Sequence, residues 1–222
     1  MKTQLFAPTS LKTVLIVPFV TLTVMVVGLV GYLSFHNSEQ AVNDVAHQLR
    51  AEITTRIETY VNTFLDTPPR INQLNADALR EGLPPADDPT ALEHHLWEQI
   101  QNFETVSSIY FGNPAGGLVD AGREEAQGKL YVIATEGFSQ GTLYKYATDR
   151  KGNRTELLVT VPSFDARTRP WYTSALNQNG PTWSEVYVLS TGQGLAIAAS
   201  RPVYDEQQKL LGVASVDIFC RI

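Results

Sequence analysis

A long apolar run near the N-terminus, residues 13–35, contains no charged side chain. A helix needs about 20 apolar residues to cross a bilayer core of roughly 30 Å, so this run is long enough to span a membrane. Lys2 and Lys12 precede the run, whereas the first acidic residue, Glu39, follows it. The positive-inside rule then places residues 1–12 in the cytoplasm and everything after His36 outside. The pattern predicts a single-pass plasma-membrane protein with an extracytoplasmic remainder.

A cleaved signal peptide is the alternative explanation of the same run. The apolar region of a signal peptide usually spans about 7–15 residues and ends at a cleavage site with small residues. The run in this chain is longer, and the sequence Tyr32-Leu33-Ser34-Phe35-His36 that ends it is a poor cleavage site. An uncleaved anchor is therefore the favoured interpretation.

The next segment, residues 36–104, has the apolar spacing of helices. We expect Ser38 to cap a long helix that ends near Asp66, because Pro68-Pro69 follows. A weaker helical stretch covers residues 71–80. The long helix should have one buried apolar stripe, through which two copies of the chain could pair as a homodimer. The stripe consists of Val42, Val45, Ala46, Leu49, Ile53, Ile57, Tyr60, Val61 and Phe64.

A loop and a further helix complete the helical segment. Residues 82–89 contain three prolines and two aspartates, which predicts a loop. Thr90 is expected to cap the helix that follows. Its apolar side carries Leu92, Leu96, Trp97, Ile100 and Phe103.

From residue 105 onward, short runs of β-forming residues alternate with turn residues, which predicts a sheet. A hairpin turn is expected at residues 149–153 and a short helix from Pro170 to about Asn177. The last three strands should form an antiparallel meander, because their connections are too short for parallel crossovers. Helices first and a sheet afterwards are an α+β arrangement. The expected strands cover residues 107–111, 118–121, 130–134, 142–148, 157–161, 183–189, 195–203 and 211–219.

Composition excludes several classes of function. The 222 residues suffice for one membrane helix and one packed domain. The formal charge of -6, with no stripe of lysines and arginines to offset it, argues against nucleic-acid binding. A lone cysteine, Cys220, excludes an internal disulfide and a cysteine-rich metal site. We expect neither a metal ion nor a cofactor.

The stretch from Phe164 to Tyr172 contains two arginines and three aromatic residues at the start of the predicted short helix. An arginine offers two parallel N–H donors to a carboxylate, and aromatic rings provide rigid walls. These residues suit a small anionic or zwitterionic ligand. The alternative is a structural pair, in which Asp165 binds Arg167 or Arg169 and caps the helix beside core aromatics.

The sequence resembles the bacterial double Cache sensors over essentially the whole outer segment. The resemblance implies a PAS-like antiparallel sheet flanked by helices, which binds a small metabolite and continues into an output domain of the chemoreceptor or histidine-kinase kind. Its specific parts are the Arg-Pro-Trp-Tyr element and the last strand. The motifs are Asp165-x-Arg167-x-Arg169-Pro170-Trp171-Tyr172, Pro181-x-Trp183-Ser184-Glu185-Val186-Tyr187, Ile197-Ala198-Ala199-Ser200-Arg201-Pro202-Val203 and Leu211-Gly212-Val213-Ala214-Ser215-Val216-Asp217-Ile218.

The resemblance also implies a set of ligand-binding residues. In amino-acid-binding members, an arginine two positions before the tryptophan holds the ligand carboxylate, and Arg169 corresponds to it. The aromatic pair that follows is Trp171 and Tyr172, and a tyrosine on the next strand corresponds to Tyr187. An aspartate on the last strand accepts the ligand ammonium, and Asp217 corresponds to it.

Two positions depart from the pattern of the amino-acid-binding members. Phe164 stands where those proteins have a tyrosine, so a hydroxyl is missing. Leu189 stands where they have an aspartate, so a negative charge is missing. Losing a charged acceptor and a hydroxyl weakens recognition of a free α-amino acid. The expected ligand is therefore a small carboxylate or an amino-acid-like metabolite.

Motifs of known enzyme classes are absent from the sequence. The turn at residues 190–194 lacks the nucleophile context of Gly-x-Ser-x-Gly, and no His-Glu-x-x-His occurs. We therefore expect a membrane-anchored sensor module in residues 105–222 and no catalysis. A non-signalling binding or adhesion domain with the same fold and anchor is the alternative. Double Cache sensors continue beyond their first module, so the chain is expected to be part of a longer receptor; the alternative is a stand-alone protein.

Overall fold

The computed structural model describes residues 11–124, 128–192 and 194–220, and the chain divides into two compact units, Met1–Tyr60 and Val61–Ile222. Residues 11–60 of helix α1 (Leu11–Arg80) form the described part of the first unit, and residues 61–80 of the helix belong to the second. Its apolar stretch has a mean hydropathy of 2.6 and is not buried by other described residues. Within the described ranges, α1 alone is long and apolar enough to cross a membrane. Lys2, which entered the prediction of orientation, lies outside the described residues.

The predicted start of a separate helix at Ser38 is wrong, because α1 already begins at Leu11 and runs through this position. The apolar stripe expected to be buried is instead exposed in the described chain: Val42 is 66% exposed and Leu49 is 56% exposed. The helical period of these positions is thus confirmed, whereas their burial within one chain is not.

The predicted end of the long helix at Pro68-Pro69 is also wrong, because α1 continues through both prolines to Arg80. A proline inside a helix removes one backbone hydrogen bond and crowds the preceding turn. The residues that follow are held by packing, since Ile71 and Leu79 are buried in a core with the next helix and the sheet. Tertiary burial therefore outweighs the local preference of the two prolines.

Helix α2 (Pro89–Ile100) begins before Thr90, so the predicted cap is wrong. Asp88 is the capping residue: one of its carboxylate oxygens accepts hydrogen bonds from the backbone N–H groups of Thr90 (2.9 Å) and Ala91 (3.1 Å). Pro89 occupies the first helical turn, where its missing N–H costs no hydrogen bond. The predicted apolar face of this helix is confirmed by the buried residues Leu92, Leu96, Trp97 and Ile100, whereas the assignment of Phe103 to it is wrong because the helix ends at Ile100.

Nine strands in the described chain form one sheet in which every pairing is antiparallel. The order across the sheet is β5-β4-β3-β2-β1-β9-β8-β6, and β7 also pairs with β8. The α+β class predicted from the sequence is confirmed. The strands are β1 (Ser108–Gly112), β2 (Leu118–Arg123), β3 (Leu130–Thr135), β4 (Gly141–Thr148), β5 (Arg154–Phe164), β6 (Thr182–Trp183), β7 (Tyr187–Val188), β8 (Leu195–Tyr204) and β9 (Leu210–Cys220).

The sheet separates two clusters of buried side chains, because successive residues of a strand point to opposite faces. One face packs against α2 and the last turns of α1 through residues such as Ile109, Val119 and Val216. The other face carries a second cluster that includes Tyr110 and Ile133. This second face also carries the polar residues of the candidate site.

A short helix covers the second face. A 3-10 turn (Ala166–Thr168) leads into helix α3 (Pro170–Gln178), which confirms the predicted short helix. The strand predicted over residues 183–189 is wrong as one strand, since β6 and β7 are separate two-residue strands. Between them, the hydroxyl of Ser184 accepts the N–H of Ala198 at 3.0 Å and replaces a backbone acceptor of the ladder.

Candidate functional site

The strand register brings polar side chains of four neighbouring strands, β3, β2, β1 and β9, onto the second face. Ser108 on β1 lies opposite Asp217 on β9, and Tyr110 lies opposite Asp120 on β2. Tyr131 on β3 lies opposite Gly122, in the same row as Ser108. Because residues two apart share a face, these side chains all point toward the side that α3 covers.

The two arginines of the stretch from Asp165 to Tyr172 have different roles. Arg167 is exposed and binds Asp165 at 2.8 Å, while Asp165 also accepts the backbone N–H of Arg167 at 2.9 Å. This pair is the structural alternative of the sequence analysis, in which Asp165 binds an arginine and caps the following helical turn. Arg167 holds the pKa of the Asp165 carboxyl below its usual range. Arg169 lies on the other side of the turn and lines a cavity over the sheet.

The cavity between α3, the β7 region and the sheet has a volume of about 40 Å³, which is room for a few water molecules. Four of the five predicted ligand residues line it: Arg169, Trp171, Tyr187 and Asp217. The other lining residues are Ser108, Tyr110, Leu118, Asp120, Tyr131, Ile133, Leu143, Phe164, Leu189, Ser190 and Thr191.

Tyr172, the fifth predicted residue, is buried behind the cavity wall. It is 2% exposed and packs edge-on against Trp171, with ring centroids 5.4 Å apart. Trp171 in turn meets Tyr110 edge-on at 4.9 Å. Such aromatic pairs fix ring positions beyond the effect of burial alone. Tyr172 therefore supports the position of Trp171 and is not among the residues that line the cavity.

Asp217 forms the polar centre of the cavity. One of its carboxylate oxygens accepts the hydroxyls of Tyr110 at 2.7 Å and Tyr187 at 2.8 Å. Burial raises the pKa of Asp217 from 3.8 to about 7, although both hydroxyls and the charge of Arg169 oppose the rise. Burial also raises the pKa of both phenols, which therefore stay protonated as donors. The pKa of this carboxyl group thus lies near neutral pH, where the group changes between its protonated and its ionised form.

Arg169 places a positive charge near the mouth of the cavity. One guanidinium nitrogen donates to the backbone carbonyl of Val188 at 2.7 Å. The guanidinium carbon lies 5.5 Å from the ring centroid of Tyr187, within the range of a cation–π contact. Both contacts tie Arg169 to β7 and orient the guanidinium. A positive charge on one side and a buried acid on the other suit a ligand with both signs of charge.

Several polar residues of the site are not predicted from the sequence, among them Tyr110 and Asp120. Tyr110 was assigned only to a strand, yet its hydroxyl contacts both Tyr187 (3.0 Å) and Asp217. Asp120 was likewise assigned to a strand, yet it is 7% exposed and lines the cavity. Burial and the nearby Asp217 raise the pKa of Asp120 well above its usual range, while Lys145 opposes the rise. An acidic residue inside an apolar strand was the available signal.

The two positions that depart from the amino-acid-binding pattern both lie in the cavity wall. Phe164 and Leu189 contribute apolar surface there. Neither side chain supplies a hydroxyl or a charge to the lining. The remaining lining combines this apolar wall with a few convergent polar groups, which is the composition of small-molecule sites.

The chain is similar to three solved structures of chemoreceptor ligand-binding domains. The first is the ligand-binding domain of the amino acid chemoreceptor PctC of Pseudomonas aeruginosa PAO1 in complex with GABA (21% identity, 71% of this chain and 56% of that chain, TM-score 0.44). The second is that of the chemoreceptor CtaA of Pseudomonas fluorescens with L-serine (17%, 72% and 52%, 0.47). The third is that of the chemoreceptor Tlp3 of Campylobacter jejuni with 4-methylisoleucine (15%, 71% and 52%, 0.44).

The chain spans about half the length of these three structures. No curated protein matches the sequence. A family model does match residues 122–221, and it describes the first PDC sensor domain of methyl-accepting chemotaxis protein-like proteins. The matched residues include α3 and the strands on either side of it. They contain all five predicted ligand residues, of which all but Tyr172 line the cavity. Residues 122–221, less than half of the chain, are thus similar to the sensor domain that this family model describes.

Proposed function

We propose that the chain is the ligand-sensing part of a membrane-anchored bacterial receptor and that it binds a small carboxylate or amino-acid-like metabolite without turnover. One observation carries the proposal: a single cavity is lined by a cation, Arg169, and by a buried acid, Asp217. The family match supports a sensing role for this cavity. Two of the similar structures contain GABA and L-serine as the bound ligands of those proteins.

In the proposed complex, the ligand carboxylate binds the guanidinium of Arg169, and an ammonium or other donor group faces Asp217. Arg169 is held by the carbonyl of Val188, so less conformational entropy is lost when a carboxylate binds. Trp171 and Tyr187 provide the walls between the two polar ends. Charge-assisted hydrogen bonds at both ends supply affinity as well as orientation.

An amino-acid-like ligand is larger than the few water molecules for which about 40 Å³ has room, so its binding is proposed to enlarge the cavity. The ligand would thus favour a second arrangement of the walls over the closed one. A ligand that binds one of two arrangements more tightly shifts their populations, and this shift is the proposed signal. Helix α1 contains both the apolar stretch and buried residues next to the sheet, which makes it the proposed carrier of that signal.

The proposed location is the plasma membrane, with a single span at residues 13–35, the N-terminus in the cytoplasm and the sensor module outside. The apolar stretch of α1 supports the span. The exposed stripe that includes Val42 and Leu49 supports pairing of α1 with a second copy of the chain, because exposed apolar side chains at helical spacing are typical of helix–helix interfaces. Cross-linking of the full chain in membranes, with Leu49→Cys, would produce a covalent dimer if α1 pairs in this way.

The test is a ligand screen by thermal shift on the full chain in detergent micelles. Small carboxylates and amino acids are added to the wild type, to Arg169→Ala and to the control Arg167→Ala. A ligand present at about 100 times its dissociation constant stabilises the fold by ~2.7 kcal/mol, which a thermal shift detects. We expect a hit that Arg169→Ala abolishes and that Arg167→Ala retains, because Arg167 binds Asp165 instead of lining the cavity. A hit of equal size in Arg169→Ala would contradict the proposed anchor.

A further inference from the structure

Asp120 is a buried acid of the cavity that the proposed contacts of the ligand do not use. It lies in the middle of β2, is 7% exposed, and lines the cavity. Its Oδ1 atom has no hydrogen-bond partner among the described residues. Burying a polar atom without a partner is unfavourable, and such atoms in native structures call for an explanation. A ligand donor is the simplest partner for an orphaned acceptor that faces a binding cavity.

The nearest buried cation, Lys145, is engaged elsewhere. Its ammonium lies 2.6 Å from the carboxylate of Glu124 and 3.9 Å from the ring centroid of Tyr131. Burial and Asp217 raise the pKa of Asp120 well above its usual range, the charge of Lys145 only opposes this rise, and no hydrogen bond joins Lys145 to the Oδ1 atom of Asp120. Lys145 therefore does not supply the hydrogen-bond donor that Oδ1 lacks.

Asp120 and Asp217 stand at different points of the cavity floor. Strand β1 lies between their strands, with Tyr110 opposite Asp120 and Ser108 opposite Asp217. Two strand spacings of about 4.8 Å and an offset of two residues, about 7 Å, place the two backbone positions about 12 Å apart. Side chains of a sheet stand roughly perpendicular to it, so the two carboxyl groups offer separate positions to a ligand.

We propose that the cavity accepts two cationic groups, one at Asp217 and a second at Asp120, and that the ligand is a small carboxylic acid with two amino groups. The inference rests on the proposed function, because it takes Arg169 as the carboxylate anchor. It adds the class of side chain: an amino group a few carbon atoms from the ligand's first ammonium. The second carboxylate is that of Asp120 on β2, since position 189 of the same lining is a leucine and offers no charge.

The test compares two probes of matched shape by isothermal titration calorimetry on the full chain in detergent micelles. L-Ornithine carries the terminal amino group, and L-norvaline has the same carbon chain without it. We expect the wild type to bind ornithine about ten- to a hundredfold more tightly than norvaline, which is the usual effect of a hydrogen bond between charged partners. In Asp120→Asn the two affinities should become similar through loss of ornithine binding, with norvaline unchanged.

The outcomes separate this inference from the proposed function. If the wild type binds norvaline as tightly as ornithine, or if Asp120→Asn keeps the preference for ornithine, the second cationic position is wrong and the carboxylate site stands. If neither probe binds and no other carboxylate binds, the proposed function itself fails. The comparison of ornithine with norvaline on the wild type requires no variant. It can therefore still refute the inference if Asp120→Asn does not fold.

Discussion

The pKa of Asp217 predicts that the stability of the domain falls as the pH rises through the neutral range. The perturbation is Asp217→Asn, which removes the titrating group and keeps an oxygen that can accept the hydroxyls of Tyr110 and Tyr187. In the wild type, burial raises the pKa of this carboxyl from 3.8 to about 7. The folded protein therefore binds the proton more tightly than the unfolded chain does.

The sign and size of the effect follow from proton linkage. Between pH 3.8 and about 7, the folded state holds more protons than the unfolded state, so the free energy of unfolding decreases as the pH rises. The stabilisation is fully present below pH 3.8, the pKa of the carboxyl in the unfolded chain, and is lost as the pH rises through about 7, its pKa in the folded protein. A rise of about three pKa units at 1.36 kcal/mol each gives at most ~4 kcal/mol. The variant lacks this loss and should be the more stable protein at pH 8.

The assay is urea denaturation of the full chain in detergent micelles at several pH values between 5 and 8, followed by tryptophan fluorescence. The free energies of unfolding of the wild type and Asp217→Asn should diverge with rising pH, in favour of the variant. Tyr187→Phe removes a donor that stabilises the ionised carboxylate, so its loss of stability should extend to higher pH. Parallel curves for the wild type and Asp217→Asn would refute the assigned environment of Asp217.

Two further predictions concern the packing that positions the site. A methyl group at Gly112 would lie 2.5 Å from a ring carbon of Trp171, so Gly112→Ala should destabilise the domain by about 1–3 kcal/mol in the same denaturation assay and weaken ligand binding. A methyl group at Gly141 would have no atom within 4 Å, so the control Gly141→Ala should change neither stability nor binding. Asp88→Ala removes the cap of α2 and should cost about 1 kcal/mol in the free energy of unfolding; Asp87→Ala, one residue earlier, serves as its control, and equal losses would contradict the capping role.

The sequence predicted the strands well because their β-forming residues are separated by turn residues with specific local chemistry. The turn at residues 149–153 is an example: the carboxylate of Asp149 accepts the N–H groups of Lys151 at 2.8 Å and Asn153 at 2.9 Å. Local signals failed where distant residues decide. Pro68-Pro69 predicts a helix end, but burial of Ile71 and its neighbours against the sheet keeps the helix intact.

The same distinction applies to the site. Arg169, Trp171 and Asp217 could be predicted from a resemblance to a known family, and the structure places all three around one cavity. Tyr110 and Asp120 could not be predicted as site residues, because their convergence depends on the pairing of β1 with β2 and β9. Pairing register is a long-range property, and a shift of one residue would turn both side chains to the opposite face.

The central claim is that the cavity beneath α3 binds a small carboxylate between Arg169 and Asp217. The most direct measurement is a crystal structure of the protein with a carboxylate identified in the thermal-shift screen. The account predicts the ligand carboxylate within hydrogen-bonding distance of the Arg169 guanidinium, with its donor group at Asp217 and Trp171 against its apolar part. A ligand bound elsewhere, for example in the separate cavity lined by Pro69 and Arg201, would contradict it.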